Sequence, residues 1–204
     1  AAYGFIYPAN LDTLQALGAE LVFFSPLAGD GLPENSDAVW LPGGYPELHG
    51  DQLAANVALW SGLRAHVAAG KPVLAECGGL MSLLDSIVDK AGVAHACAGL
   101  LPGRALMQQR LAALGMQHVD LAQGRLSGHS FHYSRTETSL VPCLRAQRPD
   151  GREGEAVYRV GSITASYVHF WFPSNPAAVA ALLGGAGEMT CGKMEGSRTS
   201  NPSL

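Results

Sequence analysis

Pro72-Val73-Leu74-Ala75-Glu76-Cys77-Gly78-Gly79-Leu80-Met81 is the stretch from which the rest of the chain is read. Residues 72–75 are small or apolar and have the length of a short buried strand. A cysteine and two glycines follow, and then Leu80, Met81, Leu83 and Leu84 recur at helical spacing. A strand that turns through a nucleophile into a helix is the elbow geometry of hydrolase-like sites. The turn is expected to hold the Cys77 side chain strained and exposed above the sheet edge, while the glycines let backbone approach a substrate closely. The N–H groups at the start of the following helix would point at the sulfur and favour thiolate over thiol near pH 7. The plainer alternative is a buried structural cysteine before a glycine turn, because free cysteine usually behaves as a small hydrophobe. The elbow context favours the nucleophile.

Upstream of this stretch, residues 37–41 read as a strand that ends in Pro42-Gly43-Gly44. A helix follows through Leu53, Val57, Leu59 and Leu63 to about Ala69, stopped by Gly70. Earlier still, residues 2–7 are expected to form a first strand. Asn10 is expected to cap a helix carrying Leu11, Leu14 and Leu17, and residues 20–24 to form a second strand. Strands alternating with helices at this spacing predict a parallel α/β sheet, whose strand ends carry the ligand loops. Downstream the pattern changes. Residues 106–114 are ambiguous between helix and strand, and 118–121 and 128–133 look like strands. Residues 145–155 read as a polar turn or loop, 156–160 and 163–168 as a hairpin around Gly161-Ser162, and 175–183 as a last helix with Pro176 in its first turn. The expected architecture is therefore a three-layer α/β/α domain over residues 1–190, its sheet mainly parallel with added β-hairpins. Residues 191–204 are expected to be a disordered tail.

Composition bounds the partners. The chain has 204 residues, 48% of them hydrophobic, and a net charge of −4 without a basic cluster, which argues against nucleic acid. No apolar run approaches the 18 or so residues of a membrane helix, and no basic, apolar leader opens the chain. Four widely separated cysteines, Cys77, Cys97, Cys143 and Cys191, suggest reduced thiols and a cytoplasmic setting. There is no G-x-x-x-x-G-K-[ST] phosphate loop, no G-x-G-x-x-G fingerprint and no metal-ligand motif. The abrupt opening in an apolar run suggests a piece of a longer protein.

A cysteine nucleophile needs a base within hydrogen-bond reach, and seven histidines compete. His66 is expected at the surface of a helix, His95 and His118 sit in no recognisable motif, and His49 lies just after the Gly43-Gly44 loop. His129 and His132 alternate with apolar residues along one strand. His169 follows an apolar strand and should stand on the same rim as Cys77, so it is the best general base. For His132, packing or substrate contact is the better reading. Acyl chemistry also needs oxyanion donors; Gly43, Gly44 and Gly78 are the candidates for oxyanion or glutamine binding, the N–H groups of Gly44 and Gly78 foremost, with a plain tight turn as the alternative for the Gly43-Gly44 pair.

Four segments together resemble a known family: Leu-Pro-Gly-Gly-Tyr-Pro-Glu (41–47), Ala-Glu-Cys-Gly-Gly-Leu-Met (75–81), Gly-His-Ser-Phe-His-Tyr-Ser (128–134) and Ala-Ser-Tyr-Val-His (165–169). They are similar to the C-terminal class I glutamine amidotransferase domain of cobyrinate or hydrogenobyrinate a,c-diamide synthases. The resemblance implies that Cys77 attacks the side-chain amide of glutamine, that His169 shuttles the proton, and that ammonia leaves from a glutamyl thioester. It implies no cofactor or metal in this part. ATP and magnesium would act in an N-terminal synthetase domain, absent here, that amidates the a and c carboxylates of a corrinoid. A homodimer is compatible with it. Two departures stand out. Many relatives carry His-x-Glu, with the acid orienting the histidine, where this chain has Trp171; Glu47 is a weak substitute. Many carry Gln four residues after the cysteine, where this chain has Met81. The rival readings are an amidotransferase acting on another tetrapyrrole, a thiol hydrolase without a synthetase, and a silent binding domain.

Overall fold

The structure, a computed structural model, describes residues 2–184; the expected tail over 191–204 and the domain limit at 190 lie outside them. Helix α1 (Pro8–Ala16) comes first, then strand β1 (Val39–Leu41), helices α2 (Gly50–Ala54) and α3 (Val57–Ala68), strand β2 (Val73–Glu76) and helix α4 (Gly78–Leu83). Strands β3 (Ser86–Val88), β4 (Ala94–Ala96), β5 (Arg104–Met107), β6 (Ala113–Leu121), β7 (Gly124–His132) and β8 (Ser134–Glu137) follow. The chain closes with β9 (Leu144–Gln147), β10 (Glu153–Val160), β11 (Ile163–Ser166), β12 (His169–Phe170) and helix α5 (Pro176–Leu183). An eight-stranded sheet runs β1-β2-β11-β10-β9-β6-β7-β12, and a second sheet runs β4-β3-β5-β8.

The layers follow from alternation along β2. Val73 and Ala75 join the core that holds Leu53 of α2, Leu59 and Leu63 of α3, and Leu80 and Leu83 of α4. Leu74 joins the opposite core, with Leu14 of α1 and Val179 and Leu182 of α5. Both faces of β2 are therefore covered, as the run of apolar residues requires. The sheet is mixed, as expected, but parallel pairing is confined to β1–β2, β2–β11 and β3–β5. Two-residue and other short turns join the later strands, and such connections can only build antiparallel pairs.

Several local expectations change. Residues 2–7 make a single bridge, Phe5 to Gly43, before proline starts α1 and turns the chain away. Asn10 is no cap: it is buried within α1, where its side-chain amide donates to the Phe170 carbonyl and its oxygen accepts from the Phe172 N–H, both at 2.9 Å. Residues 20–24 join no ladder, and Val22 and Phe23 stay 62% and 67% exposed. The helix expected from Leu53 to Ala69 is two helices, because Asn56 leaves the helix to cap α3 by accepting from Leu59 N–H at 3.0 Å. The polar segment at 145–155 is mostly strand; only the Arg148–Arg152 turn remains, closed by the Arg148 N–H to the Arg152 carbonyl. Cys77 and Cys97 are free thiols, whereas Cys143 is disulfide-bonded, so the four thiols are not all reduced. Among the described residues no helix is long and apolar enough to cross a membrane.

Candidate active site at the end of β2

The elbow is present. Cys77 has φ 48° and ψ −104°, one of two positive-φ residues other than glycine among those described. Such a conformation costs about 1–3 kcal/mol and persists only where its surroundings impose it. Here the Cys77 N–H donates to the Ser166 carbonyl at 2.8 Å and the Cys77 carbonyl accepts from Met81 N–H at 3.0 Å, tying the turn to β11 and α4. The side chain is not exposed as expected: Cys77 is buried, its Sγ 4.0 Å from the Phe131 carbonyl. Its thiol is also not acidified. Burial pushes it up to about 12, Glu47, Glu76 and Glu155 add to the rise, and the Gly78 N–H opposes it. The six-residue α4 contributes a local amide but too little to offset desolvation. At rest the Cys77 side chain is therefore a neutral thiol.

His169 follows β11 in sequence and forms the start of β12, paired with His129 of β7. Its ring packs on Gly43 so closely that any Cβ there would overlap it, which is why residue 43 has no side chain. Phe5 lies 4.4 Å away between ring centroids, and His129 stacks at 5.1 Å. Burial, with His129 and His132 nearby, pushes the His169 pKa down to about 3. The imidazole is therefore neutral at pH 7 and available to accept a proton. Its Nδ1 is buried and has no hydrogen-bond partner. Gly43 in turn accepts from Phe5 N–H at 3.0 Å. Gly44 lies against Gly78, where a Cβ would stand 3.0 Å from the Gly44 nitrogen. The register of β1 on β2, Leu41 opposite Ala75, brings these loops together. Cys77, His169, Gly43, Gly44 and Gly78 are thus brought to one rim.

His132, for which packing or substrate contact is expected, is buried in a packed network. It stacks on Tyr167 at 3.9 Å, and its ring nitrogens bond the Ser134 carbonyl at 2.9 Å and Glu155 at 3.1 Å. Tyr167 bonds Ser134 and Thr136, and the Ser134 hydroxyl donates to the Met81 sulfur at 3.4 Å. This buried network lies under the elbow and was invisible in sequence, because its members come from α4, β7, β8, β10 and the β11–β12 link. Glu47 sits in a 3-10 turn at Pro46–His49; burial raises its pKa, Lys90 opposes that, and it makes no hydrogen bond with His169. His66 is buried on α3, bonded to the Pro72 carbonyl at 3.1 Å, not at the surface. Glu76 went unnoticed, though an acid ending a fully buried strand is a signal in itself. Among the described residues no three His, Cys, Asp or Glu side chains cluster as a metal site.

A solved structure, described as a crystal structure of glutamine amidotransferase, aligns with a TM-score of 0.63 at 20% identity, covering 87% of this chain and 92% of that one. It shows a shared fold. Among curated proteins, hydrogenobyrinate a,c-diamide synthases of Stutzerimonas stutzeri and Pseudomonas aeruginosa are 56% and 54% identical over 184 residues. A cobyrinate a,c-diamide synthase of Herminiimonas arsenicoxydans is 46% identical over the same length. Each alignment covers 90% of this chain but only 42–43% of the relative, so the chain spans less than half the length of these proteins. Residues 2–177 match the family of CobB/CobQ-like glutamine amidotransferase domains. With the elbow cysteine, the rim histidine and the paired glycine loops in place, the chain belongs to that family.

Proposed function

We propose that this chain hydrolyses glutamine at Cys77 and that the whole protein uses the ammonia to amidate the a and c carboxylates of hydrogenobyrinate or cobyrinate. The observation that carries the reading is the positive-φ cysteine at the end of buried β2, sharing a rim with a neutral His169. Sγ attacks the side-chain amide carbon of glutamine as its proton passes to His169 Nε2. The N–H groups of Gly44 and Gly78 receive the charge that develops on the amide oxygen. The imidazolium then protonates the amide nitrogen, the C–N bond breaks, and ammonia leaves a glutamyl thioester. His169 takes a proton from water, hydroxide attacks the thioester, and glutamate leaves with Cys77 restored as a thiol. Because the resting thiol and imidazole are both neutral, the ion pair forms only with substrate in place.

ATP and magnesium belong to the remainder of the protein, since this chain offers no phosphate loop to hold them. The identities of 54–56% to hydrogenobyrinate enzymes, against 46% for the cobyrinate enzyme, favour the metal-free corrinoid. The experiment is amidation by the full-length protein with two nitrogen donors. Cys77→Ser is expected to lose glutamine-dependent amidation and to retain amidation supported by free ammonia. Loss of both, or retention of both, contradicts the assignment.

A further inference from the structure

β2 ends on a carboxyl group that the mechanism above does not use. The alternation that sends Leu74 toward α1 and α5 puts Glu76 on the same side. The residue is 1% exposed. It pairs in register with Ser166, three residues before His169, and directly precedes Cys77. Its Oε1 accepts the N–H of Phe170 at 3.2 Å, and that nitrogen is bonded to the carbonyl carbon of His169. The carboxyl is thus tied to the backbone next to His169, whose Nδ1 is buried without a partner. A buried nitrogen without a partner costs about 1–3 kcal/mol, and a buried carboxyl persists where something binds it. The bond to Phe170 uses Oε1 and leaves Oε2 for a second donor. The other acids are placed elsewhere: Glu155 is bonded to His132, and Glu47 lies toward Lys90. Two residues after His169 stands Trp171, an indole packed edge-on against Tyr7.

We propose that Glu76 is the positioning residue of His169: it accepts the Nδ1–H hydrogen bond in the working site, so that Nε2 is free to take the Cys77 proton. This rests on the reading of His169 as the proton carrier. The groups acting on or felt by the carboxyl are Tyr7 ahead of α1, Trp40 of β1, Cys77 at the elbow, and the Phe170 N–H of β12. The Trp40 indole N–H lies beside the carboxyl without completing a bond, and Glu76 in turn raises the Tyr7 and Cys77 pKa values. Burial holds the Glu76 carboxyl up at about 8, against the opposing pull of the Phe170 and Trp40 N–H groups. Protonated, it would donate to Nδ1 and leave the hydrogen on Nε2, the wrong tautomer for a base. Ionised, it accepts from Nδ1–H and stabilises the imidazolium once the thiol proton arrives. Turnover should accordingly rise as pH increases toward 8.

The test is glutamine hydrolysis by the full-length protein, the parent against Glu76→Gln, His169→Ala and the double variant, from pH 6 to 9. Glu76→Gln keeps an acceptor for Phe170 but its amide donates to Nδ1. Its kcat is expected to fall at least ~10²-fold with KM nearly unchanged, since the same replacement in a serine-protease triad costs about 10⁴-fold through the wrong tautomer. The rise with pH should vanish, and adding Glu76→Gln to His169→Ala should cost little more. A Glu76→Gln kcat within threefold of the parent, or an equal loss in the His169→Ala background, overturns the proposal. If His169→Ala itself hydrolyses at the parent rate, the underlying reading fails instead. Should Glu76→Gln not fold, proton NMR of the parent decides: a far-downfield Nδ1–H resonance assigned to His169 supports the proposal, and its absence overturns it.

Discussion

Cys77 and His169 were legible as single residues because local pattern carries them: a short apolar run, a cysteine, paired glycines, and a histidine at a strand end. Their protonation was not legible. The expectation of a thiolate followed from α4 alone, whereas the thiol is governed by burial among Glu47, Glu76 and Glu155, which come from three separate segments. A small neutral alkylating agent is therefore expected to react no faster with Cys77 than with Cys97, whose thiol burial also pushes up to about 12. A glutamine-like electrophile should label Cys77 first, because binding there assembles the thiol–imidazole pair; peptide mapping by mass distinguishes the two cases. Gly43 is a second test at this scale. Gly43→Ala would drive a methyl group into the His169 ring. Displacement by about 1 Å can cost ~10²-fold, so kcat for glutamine hydrolysis is expected to fall by about that factor while the melting temperature changes little.

Among elements, strands β1 and β2 and helices α3 and α5 could be read from apolar spacing and from Gly70 and Pro176 at their ends, though not the break at Asn56 that separates α2 from α3. Residues 20–24 could not, because a strand needs a partner as well as a composition, and β1 offers them no pairing. Asn10 was misread for a related reason. Its amide looks like a helix cap in sequence, yet it serves Phe170 and Phe172, about 160 residues away, and so fixes the short β12 that carries His169. Asn10→Ala leaves a buried carbonyl and a buried N–H unpaired, at about 1–3 kcal/mol each. A clear drop in the denaturation midpoint is expected, together with a lower kcat as β12 loosens. An unchanged midpoint would mean that water or a neighbouring group replaces both bonds.

Over the whole molecule, the α/β class and its layers were readable and the balance of parallel to antiparallel pairing was not, because the inward positions of β6 and β7 include Gln117, Gly128, Ser130 and His132 and so carry little apolar signal. The buried titratable groups make stability depend on pH in a definite direction. His169 has a folded pKa below its unfolded value, so its contribution is present above about pH 6.5 and is lost as pH falls toward about 3. Glu76 has the opposite sign: its contribution is full below about pH 4.3 and is lost as pH rises through about 8. The melting temperature should therefore fall between pH 6.5 and 8.5, and that fall should be smaller in Glu76→Gln. Beyond this chain, the rest of the protein is expected to raise glutamate release several-fold when added in trans, because oxyanion donors act in proportion to how well they are held. The central claim is that glutamine is opened by the sulfur of Cys77. Its most direct measurement is the mass of the cysteine-containing peptides after the full-length protein, turning over glutamine, is quenched in acid. The account predicts a glutamyl group on the peptide carrying Cys77 and none in Cys77→Ser, with glutamate release lost; a glutamyl group on another cysteine, or a Cys77→Ser variant releasing glutamate at the parent rate, would contradict it.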